Sequence, residues 1–130
     1  VGSEMCIRDR KLINSFKYAF KGIASALLSE RNMKIHVTIM ALVVIFGVIL
    51  NISIVEWFVC IICFAIVISA EIFNTALEQM VDIAMPEKDP RAKFVKDVAA
   101  GGVLVMAIAS AVIGLIIFVP KVLAFLETLL

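Results

Sequence analysis

Residues 54–82 read IVEWFVCIICFAIVISAEIFNTALEQMVD. The first half of this run is apolar enough for lipid and contains no glycine or proline, so it predicts a buried helix. Its second half does something a lipid-facing helix should not. In a helix, Glu71, Asn74, Glu78 and Asp82 follow i, i+3, i+7 and i+11, and side chains at that spacing stack along one face. A single acid at mid-bilayer is unfavourable by ~2.5–3.5 kcal/mol on insertion scales. Four polar groups on one stripe therefore require partners, ions or water, and Lys93, Lys96, Asp97 and Glu30 are the charged groups expected at the same level.

Working outward, the rest of the chain fits a membrane. Its 130 residues are 63% hydrophobic with a mean hydropathy of +1.11, against roughly 45–50% apolar for soluble domains. Ile35–Leu50 is uncharged if His36 is neutral and falls just short of the ~20 residues that span a bilayer. Arg91 opens a third apolar run that crosses through VAAGGVLVMAIASAVIGLIIFV before Pro120. The spans are expected at 33–50, 54–84 and 91–119. Pro86 and Pro90 bound the second loop. Before the spans, residues 11–29 place Leu12, Phe16, Ala19, Phe20, Ile23 and Leu27 at helical spacings, with Lys11, Lys17 and Lys21 elsewhere around the turn. This predicts an amphipathic helix lying in the headgroup plane. Residues 1–10 match no apolar periodicity and are set aside as an N-terminal extension or artefact. Residues 11–130 then form one all-α integral membrane domain.

Charge placement gives an orientation. Arg8, Arg10, Lys11, Lys17, Lys21, Arg31 and Lys34 precede Ile35, and Lys88, Arg91, Lys93 and Lys96 sit around the second loop, whereas the first loop has no basic residue and the tail only Lys121. The positive-inside rule places the amino terminus and the second loop in the cytoplasm and the carboxyl terminus outside. A net charge of +1 offers no basic excess for nucleic acid. Cys60 and Cys63 have C-x-x-C spacing but apolar neighbours, so they read as small packing residues rather than a metal or redox pair. Gly101 and Gly102, with Ala99, Ala100, Ala107, Ala109 and Ser110, suggest close helix packing. His36, a lone imidazole, suits an interfacial hydrogen bond.

Two or three carboxylates with few cations make a poor structural ion pair but a reasonable nest for Mg²⁺, which takes oxygen ligands from one or two carboxylates plus substrate phosphates. Lys96 would then face phosphate oxygens. No G-x-x-x-x-G-K-[ST] or G-x-G-x-x-G loop occurs. Two further readings of the stripe remain open on the residues alone, a cation pathway in an oligomeric channel or small transporter, and a purely structural helix contact.

Several ordered motifs resemble one family, the small prokaryotic lipid kinases that include diacylglycerol kinase and undecaprenol kinase. They are ERN…H at 30–36, EIFNTALEQMVD at 71–82, AKFVKDVAAG at 92–101 and GLIIFVPK at 114–121. The resemblance implies a homotrimer in the bacterial inner membrane, with active sites between subunits, using MgATP to phosphorylate a lipid alcohol. It implies that Glu71 accepts the hydroxyl proton, that Glu30 and Glu78 hold the metal and ATP, and that Asn74, Lys96 and Asp97 complete the phosphate and nucleotide contacts. Lys11, Tyr18, Glu87, Lys88 and Asp89 match positions near nucleotide, although Lys11 stands where arginine is frequent, which weakens bidentate phosphate contact. Asp82 matches an acidic position that supports the site. ERN…H, SIVEW and IFVPK look more like the undecaprenol kinases of Gram-positive bacteria than the diacylglycerol kinases of Gram-negative ones.

Overall fold

A computed structural model describes residues 2–130, the side chains of residues 2, 3 and 5 excepted. Four helices follow in order: α1 Gly2–Ser29, α2 Arg31–Ile49, α3 Ile54–Ala84 and α4 Pro90–Leu129. No strand occurs among the described residues. The last three helices are long and apolar enough to cross a membrane, and large apolar side chains along all of them face outward. At ~1.5 Å per residue, α3 and α4 are both longer than the ~30 Å hydrocarbon core, so each extends into the interface.

Each break in the helical run has a local cause. Between α1 and α2 a single extended residue, Glu30 (φ −101°, ψ 126°), turns the chain; its side chain makes no capping hydrogen bond and stays available. The α2 helix ends in a Schellman motif, with Asn51 in the left-handed region (φ 51°), its N–H donating to the Val48 carbonyl at 3.3 Å and the Ile52 N–H to that of Gly47 at 3.1 Å. These bonds satisfy carbonyls a helix end would leave unpaired. Ser53 then caps α3 reciprocally, since Glu56 N–H donates to Ser53 Oγ at 3.2 Å and Ser53 N–H to Glu56 Oε1 at 2.9 Å. At the other loop Asp89 accepts from Arg91 N–H at 2.7 Å, and Pro90 begins α4, where its missing N–H loses nothing.

Three expectations require correction. The helix before the spans starts at Gly2, nine residues before Lys11: residues 2–10 lack an apolar stripe but contain no proline, and Glu4, Arg8 and Arg10 extend an existing helix at little free-energy penalty. The last helix continues through Pro120 to Leu129. A mid-helix proline forfeits one backbone bond, yet membrane helices tolerate it because abandoning the helix in lipid would leave many polar groups unpaired. Lys121 Nζ also reaches Glu56 Oε1 at 3.1 Å, tying this end of α4 to the start of α3. Finally, a Cβ on Gly101 or Gly102 would meet nothing within 4 Å, so neither glycine is required for packing within the chain. Along α4 Val103 is buried and Ala99, Gly101, Ala107, Ser110 and Gly114 are among the partly covered residues, and α3 packs most extensively on this helix.

Candidate active site

In a protein whose large apolar side chains mostly face outward, the buried polar side chains identify the site. Among the described residues two polar side chains are buried, Glu71 at 2% exposure and Asn74 at 5%. Both continue the inner face of α3 that begins with Cys60 and Val67, because one helical face carries apolar residues in its first half and polar ones in its second. Glu78 lies one turn further on and is half-buried.

These groups are joined unevenly. Asn74 Nδ2 donates to Glu78 Oε1 at 3.1 Å, and Thr75 Oγ1 to the Glu71 main-chain carbonyl at 2.9 Å. Asn74 Oδ1 is buried with no hydrogen-bond partner. The Glu71 carboxylate has His36 Nε2 of α2 at 3.7 Å from its Oε2, which is ion-pair distance but too long for a hydrogen bond. Glu71, Asn74, His36 and Asn32 line one side of a cleft of about 240 Å³, with Ala100, Val103, Leu104 and Ala107 of α4 opposite. A second, larger groove of about 580 Å³ shares His36 and Ala107 with the cleft and runs between α2, α3 and α4. Its lining is hydrocarbon apart from Ser110, His36 and the thiols of Cys60 and Cys63, so both cysteines serve an apolar surface. The cleft that holds Glu71 and Asn74 thus borders an apolar trough at His36 and Ala107.

The other expected site residues are placed around this centre rather than in it. Lys96 pairs with Asp82, joining α4 to the end of α3. Asp82 leaves the buried stripe and is exposed because α3 has outrun its packed section. Asp97 is bound by Lys93 at 2.6 Å. Asp89 is held by Arg91, whose Nη2 lies 3.0 Å from Oδ2; with the Arg91 N–H, that guanidinium keeps its carboxyl below the usual carboxylate range. Lys11, Tyr18, Glu87 and Lys88 are exposed, and none of them lines the cleft. Glu30 is half-buried at the start of α2. No three His, Cys, Asp or Glu side chains converge on a metal position among the described residues. The donor set nevertheless suits Mg²⁺: it is carboxylate oxygen, Glu30 is not spent on its own helix, and Glu78 commits one oxygen to Asn74. Two such groups suffice when phosphates complete the coordination.

The chain's similarity to known proteins follows the same pattern. The profile of the prokaryotic diacylglycerol kinases matches residues 17–118, from α1 to the last turns before Pro120. The chain belongs to the prokaryotic diacylglycerol kinase family. It is 39% identical over 111 residues to the undecaprenol kinase of Bacillus subtilis, covering 85% of this chain and 90% of that protein. It is 33% identical over 116 residues to a diacylglycerol kinase of Synechocystis, covering 88% of this chain and 66% of that one. As a member of this diacylglycerol kinase family the protein is a multi-pass membrane enzyme that phosphorylates a lipid. That membership favours chemistry over ion conduction as the reason for the polar stripe.

Sequence reasoning placed Asn32 and His36 in the ERN…H motif and gave His36 an interfacial hydrogen bond, but assigned neither a role in the cleft. Asn32 and His36 are i and i+4 and so share a helical face, which was a usable signal. That His36 meets Glu71, 35 residues later, had no local signal.

Proposed function

We propose that this kinase transfers the γ-phosphoryl group of ATP to the hydroxyl of undecaprenol at the cytoplasmic face of a bacterial membrane. The observation that carries the reading is Glu71: a carboxylate at 2% exposure, without a lysine or arginine partner among the described residues, lining a cleft that shares His36 and Ala107 with an apolar groove. A carboxylate buried against hydrocarbon with oxygen lone pairs free is suited to accept a proton from a lipid hydroxyl.

In this reading the lipid oxygen bonds to the γ-phosphorus while the bond from that phosphorus to the bridging oxygen breaks. ADP leaves with the electron pair, and the hydroxyl proton passes to Glu71. Glu30 and Glu78 would hold Mg²⁺, which would offset charge on the phosphates. Asn74 orients Glu78 through its amide. Lys96 exchanges Asp82 for phosphate oxygens, and Asp97, Lys11, Tyr18, Glu87, Lys88 and Asp89 approach the nucleotide from the cytoplasmic side. Catalysis is then chiefly positioning and charge stabilisation. We further propose a homotrimer, in which neighbouring subunits bring those outlying residues to the cleft, with the amino terminus and the α3–α4 loop cytoplasmic and the carboxyl terminus outside.

Undecaprenol is favoured over diacylglycerol on two grounds. The Bacillus subtilis relative named for it is the more similar of the two and is covered over nearly its full length. The groove beyond His36 also offers few donors for the ester carbonyls that flank a diacylglycerol hydroxyl, whereas a polyprenol presents only hydrocarbon there. The Synechocystis relative supports diacylglycerol as the second reading.

The test is a mixed-micelle assay in which undecaprenol and diacylglycerol compete for label from γ-labelled ATP. Label should enter undecaprenyl phosphate preferentially, and Glu71→Gln should abolish it with helicity intact. Preferential phosphatidic acid would reassign the substrate, and normal turnover by Glu71→Gln would remove the base.

A further inference from the structure

We propose that His36 is a positioning residue for Glu71: the imidazole reaches across from α2 to α3 and steadies the carboxylate in the orientation from which it takes the lipid's proton. This rests on the reading of Glu71 as the base.

Glu71 has little else to orient it. The terminal torsion of a glutamate is broad and roughly two-fold, so burial alone does not fix where its lone pairs point. Its helical neighbours are engaged elsewhere, Asn74 with Glu78 and Thr75 with the Glu71 main chain. On α4, Lys96 is held by Asp82 and Lys93 by Asp97. Among the described residues the basic group within ion-pair reach of the carboxylate is the His36 imidazole, at 3.7 Å. Its side chain is 19% exposed against 2% for Glu71, so the pair is largely shielded from water that would otherwise compete for both groups.

The separation and the residue type both fit a positioning role. Catalytic hydrogen bonds are often long before substrate binds and tighten in the complex, and 3.7 Å closes to hydrogen-bond length by a shift of less than 1 Å. An imidazole N–H can donate one directed bond without a permanent charge. Lysine or arginine here would instead place a fixed cation on the oxygens that must receive the proton. His36 also borders both the cleft that holds Glu71 and the apolar groove, the boundary at which a lipid alcohol's hydroxyl and hydrocarbon must part. Steadying Glu71 from that point sets the carboxylate against the hydroxyl rather than deeper among the nucleotide groups.

The test compares His36→Phe, which keeps a planar ring and removes the donor, with His36→Gln, which keeps a donor, in the full-length protein with whichever lipid alcohol the parent phosphorylates. Loss of one orienting bond to a general base should lower kcat about 10- to 100-fold in His36→Phe. KM for ATP should stay within about twofold of the parent's, because only the base's orientation changes, and His36→Gln should recover most of the rate. If the phenyl ring prevents folding, His36→Met serves as the donor-free variant under the same criteria. Parent-like kcat in the donor-free variant overturns the proposal, as does an equal loss in the donor-free and Gln variants with helicity and assembly size unchanged, or a loss confined to KM. Glu71→Gln is assayed alongside. An inactive Glu71→Gln with an active His36→Phe rejects only the role of His36, while an active Glu71→Gln rejects the base itself.

Discussion

Replacing Asn74 by leucine separates function from stability. Asn74 is 5% exposed, its Nδ2 donates to Glu78 Oε1 at 3.1 Å, and its Oδ1 has no partner. A hydrogen bond to a charged acceptor contributes ~1.5–3 kcal/mol, and an unsatisfied buried acceptor is unfavourable by ~1–3 kcal/mol. Asn74→Leu deletes both at nearly constant volume, and Glu78, already half-exposed, recovers water for its freed oxygen. The net change in folding free energy should therefore lie within ~1–2 kcal/mol of zero. Activity should respond quite differently, because the amide that orients a proposed metal ligand and an acceptor held open in the cleft are both lost. We expect turnover to fall by about 100-fold or more. Denaturant-driven unfolding in micelles, followed by far-ultraviolet circular dichroism, measures the first quantity, and label transfer per folded enzyme the second. Asn74→Asp provides the contrast: it adds a third carboxylate between Glu71 and Glu78 and should destabilise strongly. A loss of more than ~3 kcal/mol in Asn74→Leu, with normal turnover by the molecules that remain folded, would refute the reasoning and make Asn74 a structural residue.

Three further perturbations test the scaffold. Asn51 occupies the left-handed region at φ 51°, so Asn51→Ala should lower stability by ~1–2 kcal/mol while Asn51→Gly stays close to the parent in the same unfolding measurement. A side chain on Gly47 would place its Cβ 2.7 Å from Trp57 Cη2 and 3.2 Å from Ile52 Cδ1. Gly47→Val should therefore destabilise by ~1–3 kcal/mol, and adding Trp57→Leu should recover part of that loss. The Asp89 carboxyl is held below its ordinary value of 3.8 by the Arg91 side chain and N–H. Its folded value being depressed, the stabilisation is complete above that ordinary value and disappears as pH falls through the folded one. Amide exchange in the first turn of α4 should accelerate below about pH 4 in the parent, and Asp89→Asn should remove that acceleration.

How much of this was legible depended on whether each feature is local to a helix. Glu71, Asn74 and Glu78 were legible as one stripe because i, i+3 and i+7 determine a shared face wherever the helix packs. The burial of the first two follows from the same face carrying Cys60 and Val67 upstream. Asp82 obeys the same arithmetic and is nonetheless exposed, since periodicity gives a direction and not the point at which a neighbouring helix stops covering it. Lys96 was expected at the polar level of α3 as a partner for the stripe, and which acid it takes, Asp82, is a tertiary fact. Of the small residues that suggested a packing seam on α4, Ala99, Gly101, Ala107 and Ser110 are partly covered while Ala100, Gly102 and Ala109 are exposed, so small size without phase misleads. Pro120 misled for a reason of solvent. The rule that proline ends a helix presumes that water can receive the freed backbone groups, and where lipid surrounds the chain the helix continuing is the less unfavourable outcome. The same solvent argument explains why the site could be suspected at all: with no water to satisfy them, polar groups on a lipid-spanning face must find partners in the protein or its ligands. Among the described residues, the unpaired Asn74 Oδ1 and the carboxylate of Glu71, with an imidazole as its one basic neighbour within ion-pair reach, are the groups for which partners run out.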